Sequence, residues 1–119
     1  MFDIVIVNGI LVDPEKLTRT NGNVGIVDGK FAIVTKDTIH GHQEFDASDR
    51  VVSPGFIDIH GHIDLADYCA ELSLRQGITT TVGGNCGFSP IDIDSFFAVQ
   101  EKRGFIINQA EFIGPTTVC

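Results

Sequence analysis

A small, β-sandwich-like β-domain followed by a parallel α/β segment is the fold class that this 119-residue sequence predicts. Three observations carry that prediction. Short apolar runs separated by Asn-Gly and Asp-Gly pairs fill residues 1–53, and such pairs favour the positive φ angles of tight hairpins. No helical period appears before residue 64. After Pro54-Gly55 the pattern becomes strand, helix, strand, helix, strand, the signature of parallel strands joined by crossover helices.

In the first half, Ile4–Val7 and Ile10–Val12 flank Asn8-Gly9 and predict one hairpin. Val24–Val27 and Phe31–Val34 flank Asp28-Gly29-Lys30 and predict a second. Glu44–Asp46 and Val51–Val52 supply two short strands around a turn at Ala47–Arg50. In the second half Phe56–His60 reads as a strand. Residues 65–76 then place Leu65, Tyr68, Cys69 and Leu72 on one helical face, with Asp64 as N-cap and Gly77 as stop. Ile78–Val82, rich in β-branched residues, is the next strand. Asp94 or Ser95 caps a second helix that carries Phe96, Phe97, Val99 and Gln100 and ends near Gly104. A third strand is expected in the apolar stretch spread over Phe105–Ile107 and Phe112–Ile113. A closed eight-stranded α/β barrel takes about 250 residues. The parallel part is therefore either a small open sheet or the opening of something larger.

Bulk properties narrow the function. Eight basic against 16 acidic residues give a net charge of −8, with no run of lysine or arginine. Nucleic-acid binding is therefore not expected. The N-terminus lacks the basic start of a signal peptide, and no apolar run of about 18 residues suggests a membrane span. Three widely spaced cysteines, Cys69, Cys86 and Cys119, do not make a disulfide framework. A reducing cytoplasm with free or metal-bound thiols is the expectation.

The chemistry concentrates in "VVSPGFIDIHGHID", residues 51–64, which holds two of the chain's four histidines. In a strand, Asp58, His60 and His62 share one face while Ile57 and Ile59 share the other. Two imidazoles so placed at a strand end converge on one ion, and imidazole suits zinc and similar metals. Cys86 follows the next strand in "TTTVGGNCGFSP". Parallel neighbours lie about 4.8 Å apart, so its thiolate reaches the same rim. Chemistry in α/β proteins sits at that end of the strands. Spacing alone is a weak signal, since His40-Gly41-His42 repeats it in the turn-rich half and reads as a surface loop. Cys86 taken alone is more often a small buried residue than a ligand. Cys69 reads as core, and Cys119 has no assigned role. Asp58, Asp64 and Asn85 are weaker candidates for supporting the ligands through hydrogen bonds; Asp58 equally fits a backbone tie, and Asp64 a helix cap. What singles out His60, His62 and Cys86 is their joint position at the ends of adjacent predicted strands.

On these residues the chain resembles the start of the amidohydrolase superfamily. Residues 51–64 are similar to its Pro-Gly-Phe-Ile-Asp-x-His-x-His signature, which joins a small β-domain to the first barrel strand. Gly84-Asn85-Cys86-Gly87 is similar to the D-aminoacylase (N-acyl-D-amino-acid deacylase) branch, where a cysteine replaces the carboxylated lysine that bridges two metals elsewhere. The resemblance implies that residues 1–53 are the N-terminal part of the small β-domain. Residues 54–119 are then the first βα units of an incomplete TIM-type (β/α)8 barrel. It implies that His60 and His62 bind one metal, that Cys86 is a shared or bridging thiolate, and that zinc, as one or two divalent ions, is the cofactor. The implied reaction turns a small-molecule N-acyl-D-amino acid into a carboxylate and a free D-amino acid. Two further histidines and a general-base aspartate are expected beyond residue 119, so no catalytic residue is assigned within the chain, and none that binds substrate. There are two departures. Pro115 follows Gly114 where Gly-His is expected, and Gly61 stands where Thr or Ser is commoner, a modest change at a solvent-facing position. The resemblance thus predicts a truncated portion of the enzyme, inactive alone, with partial or no metal occupancy and self-association through exposed strand edges. Two other readings stand beside it: a non-catalytic β-domain or assembly module with relic ligands, and a dihydroorotase- or hydantoinase-like amidohydrolase, which does not need Cys86.

Overall fold

The computed structural model describes residues 1–62 and 67–118 in two units, Met1–Pro54 and Gly55–Cys119. One long strand organises the first unit. Strand β1 (Phe2–Asp13) lies between β2 (Thr18–Val27) on one side and β4 (Gly41–Asp46) with β5 (Val51–Val52) on the other; β3 (Lys30–Thr35) flanks β2. The β1–β2 and β2–β3 pairs are antiparallel and the β1–β4 and β1–β5 pairs parallel. The described strands of this unit thus form one mixed sheet, not the two packed layers of a sandwich. Val5, Leu11, Val24 and Ala47 are its buried apolar residues.

The expected hairpin at Asn8-Gly9 is a bulge instead. Asn8 is left-handed (φ 62°), and the β1–β2 register shifts between Ile6 and Gly9. Both neighbouring strands hold it there. The Asn8 backbone N–H donates to Asn23 Oδ1 (2.8 Å), and its side-chain amide donates to Asp46 Oδ1 (3.0 Å). The chain reverses later, where Asp13 Oδ1 accepts from the backbone N–H groups of Glu15 and Lys16, at 3.0 Å each. An Asx turn of this kind offers the backbone a local alternative to the ladder. The predicted strand Val24–Val27 is therefore the second half of β2, whose polar first half carries no apolar alternation. The Asp28-Gly29 turn stands where the sequence puts it, with φ 51° and 71°, as a primed hairpin turn requires.

The second unit is a parallel three-stranded sheet in the order β6-β7-β8, with β6 (Phe56–Asp58), β7 (Ile78–Gly83) and β8 (Asn108–Glu111). Helix α1 (Asp67–Arg75) connects β6 to β7, and α2 (Ile93–Arg103) connects β7 to β8, as parallel pairing demands. A short helix, α3 (Pro115–Val118), follows, and Pro115 at its start loses no intrahelical bond. Asp64, Leu65 and the Tyr68 side chain lie outside the described residues. Ala70 is the fully buried residue of α1, whereas Leu72 is more than half exposed and Cys69 half-buried. Gly77, left-handed at φ 86°, follows the end of α1. The α2 cap is Asp92, two residues before the first expected candidate, and its carboxylate accepts from Ser95 N–H at 3.0 Å. Phe96 and Gln100 face inward on α2, while Val99 is exposed.

The third strand departs most from expectation. It is the polar Asn108–Glu111 between the two apolar runs, in register with Thr80–Gly83. Two of its side chains bond within the unit. Asn108 Nδ2 donates to the Thr79 carbonyl (3.1 Å), and Gln109 Oε1 accepts from Gln100 Nε2 (2.9 Å). Ile107 is buried just before it, and Phe112 and Ile113 are exposed just after.

Candidate metal centre

The predicted strand Phe56–His60 ends early, at Asp58. Ile59 and His60 form a turn, and Asp58 Oδ1 accepts from the His60 N–H at 3.1 Å. The two histidines therefore converge through a turn, not through strand alternation. Their rings meet edge-on, with centroids 5.3 Å apart and planes inclined by 60°.

Cys86 arrives from the end of β7. It sits in a single 3-10 turn, Asn85–Gly87, with left-handed backbone at φ 61°. A non-glycine residue there costs of order 1–2 kcal/mol, and Gly84 (φ 70°) and Gly87 (φ 87°) carry the same conformation on either side. Close packing fixes the glycine at 84, since a Cβ there would overlap the Phe112 carbonyl. The Asn85 amide donates to the Val82 carbonyl (2.7 Å), and the same oxygen accepts the Gly61 N–H (2.9 Å). One carbonyl thus ties the cysteine turn to the segment between the histidines.

The result is a three-donor cluster. Cys86 Sγ lies 3.5 Å from His60 Nε2 and 3.9 Å from His62 Nε2, and the donor atoms of all three residues lie within 4.8 Å of one another. On a tetrahedral zinc, with Zn–S of about 2.3 Å and Zn–N of about 2.1 Å, neighbouring sulfur and nitrogen ligands stand about 3.6 Å apart. The observed spacings bracket that value, and two imidazoles with a thiolate are a donor set of zinc type. The residues fit such an ion. All three are exposed, which leaves room for further ligands. Among the described residues no other group of three or more histidine, cysteine or acidic side chains is so placed. His40 instead pairs with Glu44 (Nδ1 to Oε1, 3.0 Å) in the first unit. Cys69 and Cys86 are free thiols. Asp58 bonds the His60 backbone and Asn85 the Val82 backbone, not the three-residue cluster; Asp64 lies outside the described residues. Sequence reading missed Val82, whose contribution is a backbone carbonyl, and misplaced Gly61, which is buried and not solvent-facing.

No family model matches the chain. Individual proteins do. The N-acyl-D-glutamate deacylase of Alcaligenes xylosoxydans xylosoxydans is 38% identical over 91 residues, covering 73% of this chain and 19% of that protein. The crystal structure of the N-acyl-D-glutamate deacylase of Bordetella bronchiseptica, complexed with zinc and a phosphonate inhibitor, matches 98% of the chain. Its TM-score is 0.87 at 30% identity, and 30% of that structure is covered. The chain belongs to the D-aminoacylase branch of the amidohydrolases. A D-aminoacylase structure described for its binuclear metal centre matches 99% of this amidohydrolase chain with a TM-score of 0.84, at 25% identity and 31% coverage of that chain. A D-hydantoinase structure is more distant, at a TM-score of 0.63. The chain spans about a fifth of the length of the curated deacylases it matches, 19% of each. No helix among its described residues is long and apolar enough to cross a membrane.

Proposed function

We propose that this chain carries part of the zinc centre of an amidohydrolase that cleaves N-acyl-D-amino acids, with His60 and His62 as ligands to one metal and Cys86 as the shared or bridging thiolate. The observation that carries the reading is the three-donor cluster, which draws on two strand ends and has Cys86 within 4 Å of both imidazoles. A hydantoinase-like reading leaves that cysteine without a task. When bound, a divalent ion supplies Lewis acidity toward the amide carbonyl and toward water. This chain's part is to hold the ligands, with the Val82 carbonyl and Asp58 fixing the backbone on which they stand.

In this reading residues 1–53 are part of the small β-domain and residues 54–119 the first βα units of a TIM-type barrel. The 119 residues alone are inactive, because hydrolysis needs a general base and the cluster contains no carboxylate. The substrate is a small molecule, and neither nucleic acid nor membrane is a partner. The setting is cytoplasmic, in keeping with free thiols. The open strand edges are where copies associate.

Equilibrium dialysis of the purified chain against zinc, with bound metal counted by elemental analysis, tests the centre. We expect about one zinc per chain, with retention lost in His60→Ala and Cys86→Ala. A chain that stays metal-free in excess zinc removes the reading and leaves a non-catalytic module. Release of D-amino acid from an N-acyl-D-amino acid should be undetectable with this chain alone.

A further inference from the structure

We propose that Gly61 and Thr81 form a positioning pair: the buried Thr81 hydroxyl excludes any side chain between the two histidines, and this exclusion sets their bite on the metal. The inference rests on the metal reading above.

Gly61 is buried, and its N–H is held by the Val82 carbonyl at 2.9 Å. A Cβ at residue 61 would overlap the Thr81 hydroxyl, at 3.3 Å from Thr81 Cβ and 3.7 Å from Asp58 Oδ2. Thr81 stands opposite Asp58 in the β6–β7 register, so the position is closed from the sheet side by two fixed residues. Thr81 cannot easily turn aside. It is 2% exposed, and a β-branched side chain on a strand is stiff at χ1. Its hydroxyl has no hydrogen-bond partner among the described residues. Burying an unpaired hydroxyl costs free energy, so its contribution to this site is the volume it occupies. A side chain at residue 61 pushes the 60–62 backbone away from β7. Both imidazoles then move off the Cys86 sulfur, which now stands 3.5 and 3.9 Å from them.

The test is a double-mutant cycle on the 119-residue chain, read by zinc affinity in chelator competition and by the thiolate-to-cobalt charge-transfer absorption of the Co(II) form. Gly61→Ala should weaken zinc by about 10–100-fold, the usual effect of disturbing what supports a ligand, and should diminish the charge-transfer band. Thr81→Ala and Thr81→Val should each bind as wild type. Gly61→Ala with Thr81→Ala should recover to within about twofold of Thr81→Ala, the tolerance of additive sites. Gly61→Ala with Thr81→Val should stay weak, because a methyl fills the place of the hydroxyl. Additive losses, or a Gly61→Ala chain that binds as wild type, overturn the pair while leaving the metal reading in place. A wild-type chain that binds neither ion overturns the metal reading and the pair with it. Should Gly61→Ala fail to fold, the two double variants decide: metal binding by the alanine pair and not by the valine pair supports the proposal, and equal behaviour overturns it.

Discussion

The Val82 carbonyl oxygen accepts both the Gly61 N–H and the Asn85 amide, and a carbonyl has two lone pairs for two such donors. Removing the side-chain donor frees the turn that presents Cys86 while leaving the sheet ladder intact. Asn85→Ala should therefore lower zinc affinity by about 10–100-fold. It should cost about 1 kcal/mol of stability, the net worth of one part-buried hydrogen bond. Chelator competition and thermal unfolding measured side by side check the split; unchanged zinc affinity would show that the turn holds without Asn85. The grouping of His60, His62 and Cys86 was legible in the sequence, because histidine and cysteine are candidate metal donors and all three fall at predicted strand ends. Val82 and Thr81 were not, since one acts through its backbone and the other through the space it fills. A signal for the second was present. Alternate threonines of β7, Thr79 and Thr81, lie where a Cβ at Gly55 or at Gly61 would go, so glycines opposite a threonine-rich strand mark close approach.

At the scale of elements, local chemistry set the boundaries that apolar pattern misjudged. Asp58 ends β6 by bonding its own loop, Asn8 bulges β1 because two strands supply partners, and the polar β8 is tied in through hydrogen bonds of Asn108 and Gln109. Periodicity found the two α1 and α2 segments and the order of the second unit, but it carries no information on which polar residue finds a partner. Asp92 turns this into a prediction. Hydrogen bonds from the Ser95 hydroxyl, and then from the Ser95 N–H, hold its carboxyl below the ordinary value of 3.8. The unfolded chain then takes up the proton first, so the cap's stabilisation is full above that ordinary value and is lost as pH falls through the lower folded one. The stability advantage of wild type over Asp92→Ala should hold at neutral pH and shrink in acid below the ordinary carboxylate range. Denaturant midpoints across that range measure it. A difference that persists unchanged at the acid end would assign the effect to packing and not to the charged cap.

Among the described residues the molecule combines a five-stranded sheet with a three-stranded parallel sheet, and in the smaller sheet only β7 has neighbours on both sides. β6 and β8 are edges, and Phe56 and Ile57 on β6 are more than half exposed, as are Phe112 and Ile113 just past β8. Unpaired N–H and C=O groups beside apolar side chains are a template for pairing with another chain, and parallel sheets are ordinarily covered on both faces. Copies of this chain should therefore associate in a concentration-dependent way. A charge on the edge separates that association from the metal centre, because Ile57 lies in β6 ahead of the turn that carries His60. Ile57→Lys should shift the sedimentation profile toward monomer, since a lysine on an edge strand opposes pairing, while zinc retention by His60, His62 and Cys86 stays as in wild type. Sedimentation velocity over a range of chain concentrations, with bound zinc counted in each boundary, reads both at once. A wild-type chain that sediments as a monomer throughout would remove the association. A loss of zinc together with the oligomer would instead mean that a second copy completes the metal centre.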